Sequence, residues 1–106
     1  MDVFAPSLFR DQVALVTGGG TGIGWAATRL FASLGAKVAI VSRKQEHLDA
    51  AARELRAMGA DPYVGLCDIR EVEQVEATAE AVKARFGRID VLVNNAGGQF
   101  PTPAEL

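Results

Sequence analysis

The sequence predicts an α/β fold, a doubly wound parallel sheet with helices on both faces, of which this chain carries the first four strands and three helices. Two observations lead there. Four short apolar runs alternate with three longer stretches whose apolar residues recur at intervals of three and four, and glycine closes each of those longer stretches. Strands separated by helices of this length pair in parallel through right-handed crossovers.

Val13-Ala14-Leu15-Val16 reads as the first strand, entered from polar Arg10-Asp11-Gln12, and its unbroken apolar character suits burial on both faces. From Ile23 the period changes. Ile23, Ala26, Ala27, Leu30, Phe31 and Leu34 form the expected sheet-facing stripe of the first helix, and Gly35 follows where a left-handed terminus favours glycine. Val38-Ala39-Ile40-Val41 repeats the strand signal, and Leu48, Ala51, Ala52 and Leu55 repeat the helical one up to Gly59. Tyr63-Val64-Gly65-Leu66 predicts a third strand. Asp68 and Glu71 then resemble a capping box opening a third helix, striped by Val72, Val75, Ala79, Val82 and Phe86 and ended by Gly87. Ile89-Asp90-Val91-Leu92-Val93 gives a fourth strand leading into Asn94-Asn95-Ala96-Gly97. A Rossmann order 3-2-1-4 would set the fourth strand beside the first, at the crevice where the winding reverses and ligands bind. Residues 1–106 are therefore expected to be the amino-terminal part of one such domain.

Composition narrows the function. The 106 residues suffice for one core, and 11 Lys and Arg against 13 Asp and Glu give a formal charge of −2, so no basic field exists for a nucleic-acid backbone. One cysteine and one histidine provide neither an internal disulfide nor the usual four zinc ligands, and no metal is expected. No apolar run approaches the roughly 18–20 residues of a membrane span, and Met1-Asp2-Val3-Phe4-Ala5-Pro6 lacks the basic flank of a signal peptide. A cytoplasmic protein without membrane contact is the expectation.

Between the first strand and the first helix lies Thr17-Gly18-Gly19-Gly20-Thr21-Gly22-Ile23-Gly24. The spacing is G-x-x-x-G-x-G, from Gly18, Gly22 and Gly24, and no lysine follows to make the alternative phosphate loop G-x-x-x-x-G-K-[ST]. Bare amides and the positive end of a helix dipole would face a dinucleotide pyrophosphate here. At the end of the second strand, where an acidic residue would bind a free ribose 2′-hydroxyl, the chain has Ser42-Arg43-Lys44. Ser42 can donate to a 2′-phosphate and Arg43 can fork onto it, so NADP, as NADPH, is the favoured cofactor over NAD.

Thr17-Gly18-x-x-x-Gly22-Ile23-Gly24, Asp68 after the third strand and Asn94-Asn95-Ala96-Gly97 after the fourth resemble the short-chain dehydrogenase/reductase family in order and placement. The resemblance implies that Thr17, Gly18, Gly20, Thr21, Gly22, Ile23 and Gly24 surround the pyrophosphate. It implies that Asp68 accepts from the adenine amino group beside Ile69, a role compatible with helix capping. Asn94, Ala96 and Gly97 would line the nicotinamide-side ribose, with Asn94 also steadying the central strands. Relatives that prefer NADP often carry a basic residue at the position of Thr21, which this chain does not. Within the family, Ser42-Arg43-Lys44, Cys67-Asp68-Ile69-Arg70 and above all Gly98-Gln99-Phe100 are similar to peroxisomal-type trans-2-enoyl-CoA reductases and their bacterial relatives. The 2,4-dienoyl-CoA reductases follow closely. An acyl-CoA thioester substrate is thereby implied, and a homo-oligomer when the protein is full length.

The family's proton donor is a Tyr-x-x-x-Lys pair, and here the only tyrosine, Tyr63, is followed four positions on by Cys67. No catalytic residue is assigned. The chain is expected to be the cofactor-binding part of an NADP-dependent reductase, inactive alone, whose chemistry lies beyond Leu106. Two other readings stay open, a generic alcohol or carbonyl reductase and a non-catalytic nucleotide-binding fragment. His47 reads as a solvated helix residue, Cys67 as a small core side chain, and Trp25 as partly exposed just off the first helical stripe.

Overall fold

The computed structural model describes residues 9–95. The elements are β1 (Val13–Thr17), α1 (Gly22–Ser33), β2 (Lys37–Ser42), α2 (Gln45–Ala57), β3 (Tyr63–Leu66), α3 (Val72–Phe86) and β4 (Val91–Asn94). They form one parallel sheet in the order β3-β2-β1-β4, the half-Rossmann order the sequence predicts.

All five residues of β1 are buried, because it lies between β2 and β4 and both faces of the sheet are covered around it. Its register pairs Leu15 with Ala39 on one side and Leu92 on the other. Alternation then divides the core into two layers. Val13, Leu15, Ala39 and Val41 pack with Cys67 and with Val82 of α3, joined by Tyr63, Phe86 and Ile89. On the opposite face Val16, Val38 and Ile40 pack with Leu48, Ala51 and Leu55 of α2, joined by Trp25, Phe31 and Ala32 of α1. The continuous apolar runs of β1 and β2 follow from serving both layers at once.

The stripe predicted for α2 is buried at every position. The one predicted for α1 is rotated. Its fully buried residues are Gly24 and Thr28, while Ile23 is 78% exposed and Leu30 49%. Small residues take the contact because the helix lies close on the sheet there, whereas counting apolar residues favours the bulky ones. Trp25 is partly exposed, as the sequence suggests, and its buried part packs against the α2 layer. In α3 the buried positions are Thr78 and Val82, and Val72 at its start is 67% exposed.

The capping box expected at Asp68 is not formed. α3 begins at Val72 with Glu71 as its N-cap and no side-chain capping bond. A turn intervenes, closed by the Glu71 N–H donating to the Asp68 carbonyl at 2.9 Å, so Asp68 stands too early to cap. Gln74 Oε1 instead accepts the Asp68 N–H at 2.8 Å. The predicted glycine terminations hold, with φ of 95° at Gly35, 91° at Gly59 and 87° at Gly87.

At the amino-terminal edge of the sheet, Asp90 Oδ2 accepts the Val13 N–H at 2.8 Å and the Asp90 N–H donates to the Val13 carbonyl at 2.9 Å. Arg88 forks onto Asp90 Oδ1 through Nε and Nη2. That guanidinium, with the Val13 amide second, holds the Asp90 carboxyl below the usual carboxylate range. These bonds fix the start of β4 against the start of β1.

Replacing Leu55, wholly buried under the sheet, with alanine should cost about 2–5 kcal/mol in denaturant unfolding of the full chain. Leu30→Ala, on the exposed side of α1, should cost less than about 1 kcal/mol.

Candidate nucleotide-binding site

Because all four strands run in parallel, their carboxyl ends reach one edge of the sheet. Thr17 is level with Val41 on one side and Asn94 on the other, and Ser42 is level with Leu66. The glycine loop, Ser42-Arg43-Lys44, the turn at Asp68 and the end of β4 therefore emerge side by side. The structure brings together every predicted site residue within 9–95; Ala96 and Gly97 lie outside the described residues.

Thr17 joins β1 to the end of β4 at this edge. Its hydroxyl donates to Asn94 Oδ1 at 3.0 Å and accepts the Asn95 N–H at 2.8 Å, which ties the end of β4 to the end of β1. The Gly18 N–H donates to the Val41 carbonyl at 2.8 Å, tying the start of the loop to β2. The backbone then turns through φ 66° at Gly18 and 58° at Gly22, conformations that residues with a side chain rarely adopt.

Gly24 sets the approach of α1. A Cβ there would stand inside the contact radius of the Gly18 carbonyl oxygen and 2.8 Å from Asn95 Nδ2. Thr28 Oγ1, one turn on, donates to the Gly24 carbonyl at 2.8 Å and also lies 3.2 Å from the Gly19 carbonyl. Thr28 is buried and holds the loop to the helix, a role the sequence analysis did not assign. The available signal was a hydroxyl four residues after a loop glycine, on the face that strict apolar counting excluded.

On its other side the loop rests on α2. A Cβ on Gly20 would lie 2.7 Å from the His47 carbonyl oxygen, and His47 is half-buried by this contact rather than solvated. Thr21 is the N-cap of α1 without a side-chain capping bond, and its carbonyl accepts the Trp25 N–H. No acidic residue occupies the first turn of α1, so its unpaired amides and dipole can face an anion without a competing carboxylate. Nothing stands within 4 Å of a Cβ placed on Gly22, and the turn is open on that side. The cradle fits a pyrophosphate.

Past β2, the Ser42 hydroxyl accepts the Lys44 N–H at 3.2 Å. Arg43 and Lys44 are exposed and form no ion pair among the described residues. Asp68 is different. Its Oδ1 accepts the Arg70 N–H at 3.0 Å and Nε–H at 2.9 Å, and its Oδ2 accepts from Arg70 Nη2 at 2.8 Å. These bonds, the side-chain fork first, hold the Asp68 carboxyl down at about 2, and the Arg43 charge adds a smaller push in the same direction. Ile69 is half-buried beside it and Cys67 is buried in the core. Tyr63 lies on β3, at the opposite edge of the sheet from β4, and packs into the α3 layer.

A parallel sheet in this order, with a glycine turn leading from the central strand into a helix amino terminus and free cations beyond the next strand, is a Rossmann nucleotide-binding unit. The model of the short chain dehydrogenase family matches residues 12–106, and the chain belongs to that family. It is 43% identical over 102 residues to a peroxisomal 2,4-dienoyl-CoA reductase of Arabidopsis thaliana, covering 96% of this chain and 34% of that protein. The chain thus spans about a third of the length of the curated relatives it matches. Among solved structures, the citronellol catabolism dehydrogenase of Pseudomonas aeruginosa PAO1 superposes with a TM-score of 0.83 at 42% identity, over 88% of this chain and 39% of that one. An actinorhodin polyketide ketoreductase crystallised with NADPH gives 0.78 at 43%, over 81% of this chain and 33% of that one. A short chain dehydrogenase/reductase from Burkholderia phymatum in complex with NAD gives 0.77 at 34%, over 79% and 30%. Both cofactors occur among these neighbours.

Gly24→Ala should destabilise the full chain by about 1–3 kcal/mol, since backbone rather than a flexible side chain must move, and should abolish nucleotide binding in a fluorescence titration. Acid should act through Asp68. Its folded pKa is about 2 against an ordinary 3.8, so the stability it contributes is complete above about pH 4 and is lost as the pH falls towards 2. Unfolding midpoints measured down this range should fall less steeply in Asp68→Asn than in the wild type.

Proposed function

We propose that the chain is the adenine-side cofactor-binding part of an NADP-dependent oxidoreductase acting on an unsaturated acyl-CoA thioester. The observation that carries the cofactor choice is the pair of exposed cations Arg43 and Lys44 directly after β2, which form no ion pair among the described residues and stand where a carboxylate would repel a 2′-phosphate. Arg43 is the group suited to a bidentate grip on that phosphate, with Lys44 as a second, mobile charge. The loop amides from Gly18 to Gly24 and the amino terminus of α1 would bind the pyrophosphate. Asp68 and Ile69 would receive the adenine, Asp68 through the free lone pair of Oδ2. Asn94, held by Thr17, would meet the nicotinamide-side ribose.

When bound, NADPH supplies the hydride for reduction of the activated double bond. The proton must come from a group other than Tyr63, whose place on the outer strand removes it from the end of β4. The residues Gly98-Gln99-Phe100 support a 2-enoyl-CoA as substrate. The 43% identity to a 2,4-dienoyl-CoA reductase supports a 2,4-dienoyl-CoA as the second candidate, and an acyl-CoA is common to both.

Titration of the full chain should give tighter binding of NADPH than of NADH. Arg43→Ala should weaken NADPH about tenfold to a hundredfold and leave NADH nearly unchanged. Equal losses for the two cofactors would overturn the assignment of the 2′-phosphate to Arg43. The substrate is tested by NADPH oxidation in the complete protein with 2-enoyl-CoA, 2,4-dienoyl-CoA and a simple ketone offered separately.

A further inference from the structure

Asp68 stands between two arginines, and only one of them holds it. Arg70 engages both carboxylate oxygens through Nε and Nη2 and adds its own backbone N–H to Oδ1. Arg43 follows Ser42, whose carbonyl accepts the Cys67 N–H at 2.9 Å, so the two loops leave the sheet side by side. The Arg43 charge acts on the same carboxylate, yet Arg43 forms no ion pair among the described residues. The reason lies in the turn. Arg70 is two residues from Asp68 in a bend closed by the Glu71 N–H on the Asp68 carbonyl, so the backbone has already brought the guanidinium to its partner. Arg43 comes from another strand and would have to order a long side chain to compete.

The same carboxylate, left without a partner, would harm a site for a phosphorylated ribose by drawing Arg43 to itself and away from the 2′-phosphate. We propose that Arg70 is a specificity-determining positioning residue, which by forking onto Asp68 keeps Arg43 unpaired for the 2′-phosphate of NADP. Arg70 needs no contact with the cofactor for this. The inference rests on the proposed role of Arg43, and it adds that the cofactor choice is made by three residues, Arg43, Asp68 and Arg70, on two different loops.

The test is a set of NADPH and NADH titrations of the full chain as wild type, Arg70→Ala, Arg70→Lys, Arg43→Ala and the Arg43→Ala/Arg70→Ala double variant. Arg70→Ala should lower the ratio of NADPH to NADH affinity about tenfold, almost wholly through NADPH. Arg70→Lys, which restores the charge without the fork, should recover at least half of that loss on a logarithmic scale. In the Arg43→Ala background, removing Arg70 should change the ratio by less than about twofold, because the cation it protects is gone. The proposal is overturned if Arg70→Ala weakens both cofactors equally, leaves the ratio unchanged, or lowers the ratio as much without Arg43 as with it. A wild type that does not prefer NADPH would instead remove the reading of Arg43 on which the proposal stands. Unfolding curves of Arg70→Ala distinguish a folded variant from a damaged one, and Arg70→Gln, which also lacks the charge, carries the same comparison if alanine is not tolerated.

Discussion

The nearness of α1 to the end of β1, permitted by the missing side chain of Gly24, is the constraint on which the rest of the site depends. Backbone meets backbone at that point, the Gly24 Cα facing the Gly18 carbonyl with the Asn95 amide alongside. A helix held so close must begin at the sheet edge, with its first amides directed over the strand ends. Thr28 secures the arrangement from within the helix, and Gly20 lets the loop settle on the first turn of α2. The binding edge is thus determined by contacts made beneath it rather than by residues that would touch a ligand.

Charge is distributed by a similar division. Among the described residues the ion pairs, Arg70 with Asp68, Arg85 with Asp61 and Arg88 with Asp90, all hold turns or loop ends beside the strands. Arg88 and Asp90 set the entry of β4, and Arg85 reaches the segment before β3, where it also donates to the Asp61 carbonyl. Arg43 and Lys44, directly after β2, are exposed and form no ion pair among the described residues. A chain of net charge −2 can therefore present a local positive site, because Arg43 and Lys44 are adjacent and Asp68, the acid of the neighbouring loop, is held by Arg70.

Much of this was legible in sequence, for reasons that can be stated. β1 and β2 read correctly because strands buried on both faces are continuous apolar runs, and α2 because its buried stripe is also its only apolar one. The glycine loop was recognisable from its place between a strand and a helix. What failed was the rotation of α1 and the cap of α3. In α1 the closest packing uses glycine and threonine, which an apolar count ignores. At Asp68 two local partners were available to one carboxylate, the helix amides and Arg70, and spacing alone does not rank them. The pairing of Asp68 with Arg70 rather than Arg43 depends on turn geometry that only the fold supplies.

The bonds between Thr17 and the end of β4 join residues separated by 77 and 78 positions in the chain. Such a closure is late in time as well as long in sequence. The glycine loop and α2 leave the ribosome well before β4 exists, and at about 5–20 residues per second the interval is of the order of several seconds. During that interval β1 has β2 as a neighbour and an open hydrogen-bonding edge on its other side, available to any extended segment. The strand at the centre of the finished sheet thus begins its life at the border, and its protection is the last step of assembling this half of the fold.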